Sequence, residues 1–264
     1  MDVAKLITSL PSWVLFGLIV AFCILCAEAG AWLGQYRVNK GIKEPEAPVG
    51  TAVGAMLGLL AFMLAFTFSF TADRFGSRKE LAIRHANAIS TCYVRASMIP
   101  EKQKMVIREN LKKYIAISFS ITNAPPEKVA GLVAQLEKLQ LVIWRQTASL
   151  KNEDMDSELR TYFCASVNDL MEVARERKTV SLVFNIPSML WTSLLFLTAV
   201  SMFAIGYQTG NYGKRRILDL PLLATGFALV VVLIADMDSS RTNGLRVSLQ
   251  PLKDVQKMMQ EDIP

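Results

Sequence analysis

The sequence predicts an all-α membrane protein with four transmembrane helices and a helical extramembrane domain between the second and the third. Three observations predict it. Four apolar runs reach the roughly 20 residues that a helix needs to cross a bilayer. Between the second and third runs, residues 73–184 hold 18 of the chain's 29 lysines and arginines. Within that charged middle the apolar residues recur at helical spacing, and no alternating β-branched run is long enough for a strand. Composition agrees: of 264 residues 52% are hydrophobic and 20% charged, and the mean hydropathy is +0.31. That balance excludes a disordered chain or a nucleic-acid tail.

The first run, roughly residues 12–33, has one competing reading. Lys5 precedes it, and Ala27, Glu28 and Ala29 mimic the small-residue cleavage site of a signal peptide. Its apolar stretch exceeds the roughly 7 to 15 residues of a signal core, so it is read as a retained span. A lipoprotein is excluded because Phe22 and Leu25 precede Cys23 and Cys26 where a small residue is needed. The second run covers roughly residues 50–72, and no proline follows until Pro100. The span is therefore expected to continue into the middle domain as one helix about 70 Å long, coupling the two mechanically, with Gly76 as the expected bend.

The middle reads as amphipathic helices, each with one face to bury. Ile107, Leu111, Tyr114 and Ile115 share a helical face, as do Leu132, Leu136, Leu139 and Ile143, and then Leu159, Phe163, Leu170 and Ala174. Pro100 and the pair Pro125 and Pro126 separate them, and Asn152 or Asp156 suits the cap of the last. Two further spans follow at roughly 187–207 and 218–235. The expected domain organisation is a first transmembrane pair over residues 1–72, a soluble helical domain over 73–184, a second pair over 185–237 and a tail over 238–264.

Four spans put both termini and the middle domain on one face. The other face keeps two short loops with Arg37, Lys40 and Lys43, then Lys214, Arg215 and Arg216. Lysines and arginines flank the spans on both faces, so the positive-inside rule alone leaves orientation open.

The second span carries the most specific pattern. Gly50, Gly54 and Gly58 repeat every fourth residue, and Phe62, Phe66 and Phe70 continue the interval. Small residues so spaced let helices approach closely in lipid. The glycine and phenylalanine triplets face directions about 120° apart, so one could pack on a neighbour while the other lines an axis. Phenylalanines facing lipid and ordinary helix contacts would produce the same pattern.

Other candidates carry weaker patterns. Glu28 is an acid within a span, which marks a functional site or an interfacial pairing with a loop arginine; Asp219, near the same boundary, is read likewise. Asp236 and Asp238 close the fourth span, pointing about 200° apart, toward a pore or a cation, or in salt bridges with Arg74, Arg78 or Arg241. His85, Asn87 and Arg95 follow the second span and suit a polar vestibule, although His85 shares a helical row with Leu81, Ala88 and Cys92 and fits a packing role. Glu153, Asp154, Asp156 and Glu158 lack the glycine and the ligand spacing of a calcium loop and read as a solvated helix start. The four cysteines have no metal or disulfide spacing, and each suits a buried small apolar residue. One histidine, no nucleophile elbow and no phosphate loop leave no catalytic residues, metal site or cofactor to assign.

The run GLLAFMLAFTFSFTADRF, the following HANAISTCYVRASMIP and the closing IADMDSSRTNGLRVSLQPLKD resemble the bestrophin-like domain family of prokaryotic integral membrane proteins, remotely similar to bestrophin channels. The resemblance covers nearly the whole chain. It implies a homo-oligomer, expected to be a pentamer, in the bacterial inner membrane, with the middle domain and both termini cytosolic. It also implies that the second span lines a hydrophobic neck, to which Phe62, Phe66 and Phe70 correspond in spacing and placement. Rings of apolar side chains gate by dewetting. No counterpart of the acidic calcium clasp of the animal channels is found, so calcium gating is not carried over.

The expected function is a passive ion channel, with itself, permeant ions and lipids as partners and no nucleic acid. The alternative is a non-conducting membrane sensor or scaffold whose helical domain binds a partner and whose long helix relays a signal. An enzyme ranks last. In the middle domain 18 basic against 13 acidic residues favour anions, whereas Asp236 and Asp238 favour cations, so selectivity is not legible.

Overall fold

Prolines set most helix starts in the computed structural model, which describes residues 3–42, 45–182, 186–212, 219–239 and 247–261. After the short α1 (Val3–Ser9), Pro11 precedes α2 (Ser12–Asn39), which ends before Gly41 at φ +79°, a left-handed turn that favours glycine. Then α3 (Glu46–Arg95) runs 50 residues, about 75 Å, and stays helical through Gly76. Pro100 precedes α4 (Glu101–Asn123), and α5 (Pro126–Ser149) carries proline in its first turn, where no amide hydrogen is needed. Asp156 caps α6 (Ser157–Leu182): its carboxylate accepts from the amides of Glu158 at 2.7 Å and Leu159 at 3.2 Å. Pro187 precedes α7 (Ser188–Asn211), followed by α8 (Asp219–Asp238) and α9 (Gln250–Gln260). Among the described residues there is no strand, and the fold is the expected all-α one.

Four of these helices are long and apolar enough to cross a membrane, in α2, α3, α7 and α8. The chain divides into two compact units, residues 1–75 with 185–246, and residues 76–184 with 247–264. The first holds the apolar spans. Its centre is where α2 and α7 lie side by side, their backbones in contact through four glycines. A Cβ at Gly30 would overlap the Phe203 carbonyl, and one at Gly206 the Ala27 carbonyl. One turn on, Gly34 meets Tyr207 and Gly210 meets Ala31 in the same way. Residue numbers rise together along this contact, so the two helices are parallel. Leu60 and Leu64 of α3, Trp191 and Leu194 of α7, and Ala228 and Val231 of α8 complete the buried cluster.

In the second unit Ile107, Leu111, Tyr114 and Ile115 are fully buried together with Ile143, Phe163 and Leu170. Leu159, expected on that buried face, is 41% exposed, because it sits in the first turn of α6 beside the Asp156 cap. The C-terminal segment, expected as a tail, contains α9, whose Leu252, Val255 and Met259 join this core.

Candidate functional site

α3 turns one stripe, Val53, Leu60, Leu64, Thr67 and Thr71, into its own bundle. The threonines fit there because each hydroxyl donates to a carbonyl one turn back, Thr67 to Met63 at 2.7 Å and Thr71 to Thr67 at 2.6 Å. At about 100° per residue, the row of every fourth residue from Gly54 to Phe70 crosses the opposite side of the helix. Phe62, Phe66 and Phe70 are 66%, 53% and 41% exposed. A Cβ at Gly54 or Gly58 would meet nothing, and one at Gly50 only the Gln208 Nε2 at 3.3 Å. Within one chain the close helix approach expected of this triplet is made instead by the glycines of α2 and α7. The row ends on Arg74, whose guanidinium lies 6.0 Å from the centre of the Phe70 ring.

Arg74 begins a polar cluster at one end of the first unit. Its Nη1 donates to Asp238 Oδ1 at 2.9 Å, and the Asp238 side chain is wholly buried. The same carboxylate accepts the Ile186 amide at 3.2 Å, and Ser12 Oγ donates to Asp236 Oδ1 at 2.6 Å. These contacts gather the start of α2, the end of the α3 span, the approach to α7 and the end of α8. Adjacent spans therefore alternate in direction, and the chain leaves for residues 76–184 and returns from them at this same end. Of the salt bridges expected for the two aspartates, Asp238 makes the one to Arg74, while Asp236 is held by a hydroxyl. Glu28 is exposed on α2, with no ion pair to another described residue. Lys43, Lys214, Arg215, Arg216, Arg241 and the side chain of Asp219 lie outside the described residues.

In the second unit His85 is 2% exposed. Its Nδ1 lies 2.9 Å from Arg177 Nη1 and its Nε2 2.9 Å from Tyr114 Oη. Since a guanidinium only donates, Nδ1 is the acceptor, and the imidazole is neutral with its proton on Nε2, donating to the phenol oxygen. Burial, with the positive Arg177 alongside, pushes His85 from an ordinary 6.5 down to about 3. Burial likewise pushes the Tyr114 phenol up to about 12 and pulls the Arg177 guanidinium below its usual value. Gln140 Nε2 donates to the same phenol oxygen at 3.3 Å. Asn87 is exposed, and Arg95 donates to the Tyr162 carbonyl at 3.0 Å while lying 5.9 Å from that residue's ring centre.

Among the described residues no three histidines, cysteines or acids gather into a metal site, and Glu153 accepts from Gln103 at 2.6 Å. Two features escape the sequence reading. The paired glycines are visible as GAWLG and GYQTG, each with glycines four apart, but which helices they join is not. The His85, Tyr114 and Arg177 contact joins residues from three helices, with no local signal.

A family model for the Bestrophin-like domain matches residues 20–252. No curated protein matches the chain significantly. Among solved structures, the chain is similar to crystal structures of a bacterial bestrophin homologue from Klebsiella pneumoniae. One is 13% identical with a TM-score of 0.68, covering 92% of this chain and 97% of that one. Another is 14% identical with a TM-score of 0.67, covering 94% and 97%.

Proposed function

The chain belongs to the bestrophin-like domain family, and from that membership we propose a homo-oligomeric ion channel in which five copies place their α3 helices around a pore. The observation that carries the reading is the face of α3 left uncovered by its own chain. Only 17% of its apolar window is buried, against 28% for α2 and 33% each for α7 and α8. In this reading Gly54 and Gly58 let neighbouring copies approach, and Phe62, Phe66 and Phe70 form successive rings of a neck that excludes water when closed. The Arg74 and Asp238 pair then stands where the neck ends, with Asn87 and Arg95 assigned to a polar vestibule. We place the spans in the inner membrane and the second unit with both termini in the cytosol, with permeant ions and lipids as partners, and we assign no catalysis.

A non-conducting sensor or scaffold is the second reading, favoured by the unbroken course of α3 from its span into the second unit. Light scattering of the full chain in mild detergent separates the two. Five copies per particle are expected. A monomer or dimer would contradict the pore, since too few α3 helices would be present to enclose an axis, and would favour the sensor.

A further inference from the structure

The second unit contains a cleft of about 440 Å³, within the size range of small-molecule sites. Its walls are largely apolar, formed by Ile121, Val133, Leu136 and Leu141 with Met171. Its polar groups converge from four helices: His85 on α3, Tyr114 on α4, Gln140 on α5 and Arg177 on α6. The charge there is unbalanced. Arg177 is part-buried, and its hydrogen-bond partner is the neutral His85, with no carboxylate against it among the described residues. The acid lining the cleft, Glu137, is already engaged by Lys178 at 2.6 Å, and Arg175 adds a further positive charge. A guanidinium withdrawn from water is ordinarily matched by an anion. His85 cannot serve, because it accepts at Nδ1 only while neutral. The Tyr114 oxygen already accepts from His85 and Gln140, so its own proton is available to an incoming acceptor.

We propose that this cleft binds a small organic carboxylate with an apolar body, its carboxylate on Arg177 and the Tyr114 hydroxyl and its body along Val133, Leu136 and Leu141. An inorganic anion would satisfy the guanidinium and leave the apolar walls wet. A neutral apolar molecule would fill the walls and leave the charge unmatched. The cleft thus selects for both halves of one molecule. The site belongs to the second unit alone and stands whether or not the chain conducts.

Isothermal titration of the full chain in mild detergent tests it, with 1-naphthoate as probe and 1-naphthalenemethanol and inorganic phosphate as its two halves. Naphthoate is expected to bind with a dissociation constant below about 1 mM, at least about tenfold tighter than either half, because a charge-assisted hydrogen bond contributes that much. Arg177→Met is expected to weaken naphthoate at least about tenfold and leave the alcohol unchanged. Leu141→Glu gives a second route that spares the core, since Leu141 is 54% exposed; its negative charge at the cleft wall is expected to weaken naphthoate several-fold. The proposal is overturned if naphthoate does not bind the wild type, if it binds both variants as tightly, or if the alcohol or phosphate alone matches it.

Discussion

Asp238 has no exposed side-chain surface, while Arg74 opposite it retains 13%. A buried ion pair contributes little net stability when intact, because desolvation offsets attraction, but breaking one side strands the other charge. Asp238→Ala would leave both the Arg74 guanidinium and the Ile186 amide unpaired. It is expected to destabilise the first unit by about 3–5 kcal/mol, seen as a lowered melting temperature in detergent. Arg74→Ala with Asp238→Ala should cost clearly less than the two single changes summed; strict additivity would mean that the pair is not coupled. His85 gives a prediction with a definite sign. Its imidazole sits near 3 in the folded chain against an ordinary 6.5, so between those values the unfolded chain binds a proton that the folded chain does not. Its contribution is therefore complete above about pH 6.5 and declines as pH falls toward about 3. Melting temperature should fall more steeply from pH 6.5 to 4.5 in the wild type than in His85→Gln, and parallel curves would refute the buried neutral histidine.

At the scale of the element, the contact of α2 with α7 depends on the absence of side chains. Gly206→Val would press a branched side chain into the Ala27 carbonyl, and overpacking of this kind costs about 1–3 kcal/mol or more. A side chain at Gly58 meets nothing within its own chain, so Gly58→Val should leave the α2 and α7 contact intact and act on the number of copies per particle. A melt in which Gly206→Val matches the wild type would contradict the contact. The helices themselves were legible, because their signals are local: bilayer-length apolar runs, prolines at Pro100, Pro125 and Pro126, and the Asp156 cap. Leu252, Val255 and Met259 of α9 also have helical spacing, but an 11-residue amphipathic helix beyond the last span carries no signal of which unit it joins. For the same reason GAWLG and GYQTG reveal close approach and not its partner, and the Arg177 contact to His85 spans 92 residues of chain. What the sequence withholds is pairing across long separations, which depends on tertiary packing and has no local pattern.

For the whole molecule, the division into an apolar unit with four spans and a charged helical unit follows from composition, since the span residues are suited to lipid and residues 76–184 to water. The uncovered face of α3 is different in kind. Whether Phe62, Phe66 and Phe70 meet lipid or one another is set by neighbouring copies. Conductance in planar bilayers tests this most directly, comparing the wild type with the Phe62→Ala, Phe66→Ala, Phe70→Ala triple variant at equal protein incorporation. If the rings form the neck, removing three phenyl groups per copy widens and wets it, so the variant should carry current at voltages where the wild type is mostly closed. Silence from both proteins would contradict the channel, and identical currents from both would contradict the phenylalanine neck.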